Sequence, residues 1–328
     1  MELGWSCEQL GRTEKRQATT LQHITIDKHH HLYSGYIKDC SLGKYQIRGM
    51  MGEEKSFHEV HPFEYLSLSE ASDRIRLAVI GNSAQSASKF RKVLKTVSSH
   101  DAVLHLGNMV EDPMVWREWT IKVIAPMKNL MRNKPLIAVP GPNDITNTGH
   151  NPYFLPVSDD KLFWAASLGP ARILFLDTNR ANNQQTIWLE NELSSAVNQK
   201  SAFRIVSLHA SPFPEYAEEE DLYIRQHWVP LFEKYHVDLV LSSGQHNYNR
   251  GWHNHIHYVI SGNAATKSPH TTRLRNLAMY KVTSFDHHHL SLEVSMDAIS
   301  VNAIGASGRS LDTLTIMRKK LYNNNNNT

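Results

Sequence analysis

The chain has 328 residues, 41% of them hydrophobic and 20% charged, with a formal net charge of +3. That composition is ordinary for a soluble globular protein, and the length fits one large domain, alone or with a small appendage. Three surplus positive charges are too few to indicate nucleic acid, no run of about 18 apolar residues marks a membrane span, and two cysteines, Cys7 and Cys40, are too few for a disulfide framework.

Residues 1–20 are polar and unpatterned and are expected to be unstructured or extended. They lack an apolar h-region, so they do not read as a secretory signal, and an intracellular, cytoplasmic or cytoskeletal location is expected. A mitochondrial presequence stays open, with Glu2, Glu8 and Glu14 against it. Residues 21–70 alternate in short β-like runs punctuated by Gly35, Gly43, Gly49 and Gly52. That length is about half of a complete seven-strand sandwich.

The main domain, 71–318, opens with the strand Ile75–Ile80. A helix follows with Ala87, Phe90, Leu94 and Val97 on one face, then a strand at Val103–Leu106, a helix near Trp116–Leu130 and a strand at Leu136–Val139. The second half repeats this grammar: strand Ile173–Leu176, helix Ile187–Val197, strand Phe203–Leu208, helix Tyr223–Tyr235 and strand Val237–Leu241. Alternating strands and helices predict an α/β fold with largely parallel central sheets. From His257 onward the chain turns β-rich, and 319–328 is a low-complexity tail with five asparagines, Asn323–Asn327.

In open α/β folds, functional loops lie at the carboxyl ends of the strands. Five segments occupy that position: Gly81-Asn82-Ser83-Ala84-Gln85, Gly107-Asn108-Met109-Val110-Glu111, Gly141-Pro142-Asn143-Asp144, Leu208-His209-Ala210 and Ser243 to Arg250. Their order and spacing resemble the five blocks of the metallophosphoesterases, most closely the purple acid phosphatases: GDxGQ, GDxxY, GNHE, a lone histidine and GHxHxYER. The resemblance spans roughly Ile75 to Ala265 and implies a sandwich of two mixed sheets flanked by helices. The segment His31–Leu68 resembles the last strands of that family's N-terminal fibronectin-like domain.

The family's chemistry uses two metal ions about 3.5–4 Å apart to clamp a phosphoryl group and activate hydroxide. Carried over position by position, the first-block aspartate is Asn82 here and the bridging aspartate is Asn108. The tyrosine ligand is Glu111, the asparagine ligand is Pro142 and the phosphate-contacting histidine is Asn143. The lone histidine is kept as His209. The first histidine of the last block is Gly244, and the second is kept as His246. Hard divalent cations need anionic oxygens, and a neutral amide in the bridging position does not screen two adjacent cations. The resemblance therefore implies a pseudoenzyme that has lost metal-dependent phosphomonoesterase activity and needs no cofactor.

Several residues also have ordinary readings. His209 reads as a buried, hydrogen-bonded histidine, and Glu111 with His246 as a residual candidate for one weak ion. His253, His255 and His257 read as one face of a strand, and the runs His29–His31 and His287–His289 as solvated β surface. The acidic run Glu218–Asp221 suits a helix start, and Trp116, Trp119, Trp188 and Trp228 suit core or interface anchors. The expected role is a structural subunit whose partners are other protein subunits of an assembly, with contacts at the loops 218–223 and 267–275. The alternatives are a phosphate- or single-metal-binding module and a weak phosphoesterase with unusual ligands.

Overall fold

The computed structural model describes residues 72–131, 134–146, 162–214, 222–266 and 279–319 with their side chains, together with six backbone strands between residues 2 and 65. Two mixed sheets form the body. The six-stranded sheet has the order β19-β18-β17-β7-β8-β9, with β7 Arg74–Ile80, β8 Ala102–His105, β9 Leu136–Ala138, β17 His288–Ser295, β18 Ala298–Gly305 and β19 Ser310–Met317. The seven-stranded sheet has the order β10-β11-β12-β13-β15-β14-β16. Its strands are β10 Trp164–Leu168, β11 Ala171–Phe175, β12 Phe203–Ser207, β13 Leu239–Ser242, β14 Tyr248–His253, β15 Ile256–Ser261 and β16 Tyr280–Ser284. β7, β8 and β9 run parallel in the first sheet, and β11, β12, β13 and β15 in the second.

Burial explains this layering. β7, β8, β12 and β13 bury nearly every residue because each strand is covered on both faces. Leu77, Val79, Leu104, Ile205, Leu241 and Leu292 belong to the core between the sheets. A second cluster around Leu189, Trp228 and Phe232 packs helices on the seven-stranded sheet, and a third around Phe90, Trp119 and Met127 packs helices on the six-stranded one. Trp119 and Trp228 are thus core anchors. The result is the two-sheet α/β sandwich expected from the sequence.

Local chemistry sets the helix ends. α1, Ala87–Leu94, starts where Ser86 accepts a hydrogen bond from the Lys89 amide and turns Phe90, Val93 and Leu94 inward. α4, Asn183–Ser194, starts at Asn182, whose side chain accepts from the Gln185 amide, four residues before the expected onset. Ser195 ends α4 and caps the short α5, Ala196–Lys200, so the expected continuous helix is interrupted. The other two helical stretches are not plain α-helix. Between α2 (Trp116–Glu118) and α3 (Ala125–Met131) lies a π-helical turn, Trp119–Ile124, and another, Ile224–Trp228, precedes α6, Val229–Lys234. Each π-turn ends two residues before a proline, Pro126 or Pro230. A proline has no amide to donate and crowds the carbonyl four residues back, and a widened turn relieves both.

Two histidine readings are corrected. Asn254 and His255, with φ of 45° and 66°, form the two-residue turn between β14 and β15, so His253, His255 and His257 do not share one strand face. His288 and His289 are 0% and 1% exposed, so the 287–289 run is largely interior and not a solvated surface.

The N-terminal strands form an antiparallel sheet of order β2-β1-β5-β6, namely β1 Glu2–Gln9, β2 Arg12–Gln17, β5 Gly43–Met51 and β6 Ser56–Tyr65. A separate hairpin pairs β3, Leu21–Thr25, with β4, His31–Gly35. β1 and β2 lie in residues 1–20, where the sequence carries no strand pattern. The asparagine tail, residues 218–221 of the expected contact segment 218–223, and all of the segment 267–275 lie outside the described residues.

Candidate functional site

The loops after β7, β8, β9, β12 and β13 meet at one end of the sandwich. The Asn82 amide donates to Gly107 O (3.1 Å) and the Ser83 amide to Asn108 O (3.1 Å). The amides of Ser243 and Gly244 both donate to His209 O, at 3.0 and 2.7 Å. The site loops are thus stitched backbone to backbone. Asn82 and Asn108 hold φ of 53° and 56°, a left-handed conformation that Asn and Asp tolerate better than other side chains. Approach between loops is close: a Cβ on Gly141 would lie 2.4 Å from Asn108 Oδ1, and one on Gly107 (φ 90°) 2.4 Å from Gly141 N. Glycine is therefore required at both positions.

Asn108 sits at the centre. Its Oδ1 accepts from the Asn143 amide (3.2 Å), which orients the side chain, and its Nδ2 lies 3.2 Å from His209 Nε2. His209 is buried, and its Nδ1 lies 2.7 Å from Leu106 O. A carbonyl can only accept, so Nδ1 carries the proton and Nε2 presents a lone pair to the Asn108 amide. Ser243, fully buried, also places its hydroxyl on Leu106 O, 3.1 Å from His209 Nδ1. Burial lowers the His209 pKa to about 4; the hydrogen bond to Leu106 opposes this and nearby His246 reinforces it. The imidazole is neutral at physiological pH.

Asp144 holds the second and third blocks together. Its fully buried carboxylate accepts from the amides of Asn108 (2.7 Å), Met109 (2.7 Å), Val110 (3.3 Å) and Gly141 (2.9 Å). Burial raises its pKa to about 6 against the pull of these four donors. Beneath the loops lies His105, also fully buried. Its Nδ1 accepts from the Gly107 amide (3.1 Å), so its Nε2 donates to Ser83 Oγ (3.0 Å). Burial, then His209, lowers its pKa to about 3. Asp144, His105 and Ser243 escape motif reading. Asp144 had a signal, since it closes the third block, but the contacts of His105 and Ser243 are set by the fold.

The remaining family positions are dispersed. Asn82 is buried; its Nδ2 donates to Ser243 O, while its Oδ1 has no hydrogen-bond partner among the described residues. Glu111 is half-exposed and ion-paired with Lys122, which also binds Glu118 (3.1 Å). Pro142 and Asn143 are exposed in a short 3-10 turn. A Cβ on Gly244 would lie 3.1 Å from the Ala210 Cα and 3.2 Å from His209 O, so a histidine there needs the backbone to give. His246 is half-buried, and burial lowers its pKa.

The family's metal pair does not fit this arrangement. The lone pair that His209 would give to a metal points at an amide donor, and Glu111 is held by a lysine. Among the described residues, no group of three or more His, Cys, Asp or Glu side chains could hold a metal ion.

Comparisons with known proteins agree with the fold. The purple acid phosphatase PPD1 of yellow lupin superposes with a TM-score of 0.76 at 15% identity, over 97% of this chain and 69% of its own. The Plasmodium protein GAP50, described as the anchor in the inner membrane complex, superposes with a TM-score of 0.56 at 16% identity, over 75% of this chain and 90% of its own. Mouse acid phosphatase type 7 is 26% identical over 229 residues, 60% of this chain and 51% of that protein. An uncharacterized Mycobacterium tuberculosis protein is 34% identical over 73 residues, 21% of this chain and 14% of its own length. The chain thus spans about half the length of the mouse relative and about a seventh of the mycobacterial one. The calcineurin-like phosphoesterase family matches residues 75–248, more than half of the sequence, and the chain belongs to that family.

Proposed function

We propose that this chain is a catalytically inactive calcineurin-like phosphoesterase that serves as a structural subunit of a larger protein assembly. One observation carries the loss of catalysis: the Asn108 amide donates to His209 Nε2 and so occupies a lone pair that the family gives to metal. An aspartate has no proton to donate there at neutral pH. The amide therefore does more than preserve the shape of the bridging carboxylate; it satisfies the His209 lone pair from within the protein. A fold retained around such a site offers a rigid surface, and the anchor role named for the Plasmodium neighbour is the precedent. The test has two parts. The purified protein should not hydrolyse p-nitrophenyl phosphate with added iron, zinc or manganese. Metal-dependent turnover that His246→Ala abolishes overturns this part. In native extracts the chain should co-migrate with other proteins, and a free monomer near 37.5 kDa at physiological salt overturns the structural role.

A second reading has its own support. The buried Asn82 Oδ1 lacks a hydrogen-bond partner among the described residues, and His246 keeps the family identity. A small ligand or single ion held without turnover would use both. Binding of phosphate or zinc that is lost in both Asn82→Ala and His246→Ala would favour this reading.

A further inference from the structure

α1 carries a stripe of positive charge outside the family site. Ser88, Arg91, Lys92 and Lys95 are exposed at the i, i+3, i+4 and i+7 spacing of one helix face, with Lys89 half-buried beside them. The sequence between Asp73 and Asp101 contains no acid, and among the described residues none of the four cations forms an ion pair. Acids on the neighbouring elements are already engaged: Asp101 with Arg76, and Glu111 and Glu118 with Lys122. α3 packs beside α1 in the same core cluster and exposes Lys128, also without an acidic partner among the described residues. The four cations of α1 exceed the chain's formal net charge of +3, so positive charge is concentrated here and not spread evenly over the surface. The helix dipole accounts for Arg91 and Lys92 in the last turn, but it opposes Lys89 in a first turn that holds no acid.

Like charges held side by side on one rigid helix repel each other, and an anionic surface of matching spacing relieves that repulsion. We propose that the exposed face of α1 docks an acidic segment of a partner protein, whose carboxylates meet Lys89, Arg91, Lys92 and Lys95 along about 9 Å of helix. The proposal rests on the structural-subunit reading above and names a surface for it. A membrane fits this face less well. The apolar side of α1, Phe90, Val93 and Leu94, is buried in the core, and none of the exposed large apolar residues lies on α1 or α3 to enter lipid. The low net charge argues against a nucleic-acid surface.

Fluorescence polarisation of a labelled hexaglutamate peptide against the full chain tests the assignment. The peptide should bind at about 50 mM sodium chloride and be released at about 500 mM, where exposed charges are screened. The triple variant Arg91→Glu, Lys92→Glu, Lys95→Glu should lose at least about tenfold in affinity. A charge-matched variant at other exposed cations, Lys200→Glu, Arg318→Glu, Lys319→Glu, should stay within about twofold, with circular dichroism confirming both folds. No peptide binding, or an equal loss in both triple variants, overturns the proposal. Vesicles containing phosphatidylserine and a short DNA duplex are the competing probes. Tighter binding of either, lost only in the α1 variant, replaces the acidic protein by that partner. Native extracts separate this surface from the structural role itself. If the α1 variant co-migrates with other proteins as the unsubstituted chain does, the stripe is overturned and the structural role stands. A free monomer that still binds the peptide through α1 does the reverse.

Discussion

At the scale of single residues, Asn108 is the most informative position. Replacing Asn108 by Asp exchanges a donor for a partly buried acceptor facing the His209 lone pair. We expect a loss of about 1–3 kcal/mol of stability at neutral pH, without strong metal binding. A urea denaturation curve and a metal titration check both, and tight metal binding by Asn108→Asp alone would count against the closed-site account. Asp144→Asn should cost more, about 2–4 kcal/mol, because four buried amides would share one oxygen with an NH2 group among them. A change below about 1 kcal/mol in the same assay would remove Asp144 as the clasp between loops. The resemblance to the family's blocks is what singled out Asn82, Asn108, Gly244 and His246 in the sequence. The amide's hold on a histidine 101 residues away was not, since only the fold brings the loops after β8 and β12 together.

At the scale of elements, the alternation of strands and helices was readable because burial on both strand faces writes continuous apolar runs such as Leu77–Ile80 and Leu239–Leu241. The two π-turns were not, because hydrophobic spacing near Trp119 and Trp228 barely distinguishes a widened turn from an α-turn. The prolines at 126 and 230 were the available clue. The β14–β15 turn hid for a related reason. His253, His255 and His257 keep period two across a reversal of the chain, and the pattern carries no sign of the turn itself. His255 adopts φ of 66° with a full side chain, and its ring contacts Trp252 edge-on at 5.6 Å. His255→Gly relieves the backbone and loses that contact. The net should be a gain of about 0.5–1 kcal/mol, read as a higher urea midpoint with an unchanged slope. A destabilised variant would show that the ring contact outweighs the turn.

At the scale of the whole molecule, buried neutral histidines should make the fold acid-sensitive. Burial depresses the pKa of His105 to about 3 and those of His209, His288 and His289 to about 4, from an ordinary value of 6.5. A depressed pKa means that the unfolded chain takes up protons first. The stability these groups contribute is complete above about 6.5 and is lost as pH falls through about 4. Each group contributes up to about 1.4 kcal/mol per pH unit in that window. Asp144 runs the other way: its contribution is greatest below 3.8 and is lost as pH rises through about 6. One carboxyl does not offset four imidazoles, so the thermal midpoint should drop steeply between pH 6.5 and 4.5. A flat profile over that range would mean that the histidines are solvated or charged in the folded protein.

The order of strands in the six-stranded sheet also bears on how the chain is made. β7 comes early in the domain, yet it lies between β8 and β17, and Leu77 and Val79 pair with Leu292 and Leu290. At about 5–20 residues per second, a ribosome needs roughly 10–40 s to travel from the end of β7 to β17. For that interval the nascent β7 has one edge open and an apolar face without its final cover. Chaperones that shield apolar segments act in this window, and abundance in the cell then depends on protection during synthesis as well as on the stability of the finished fold.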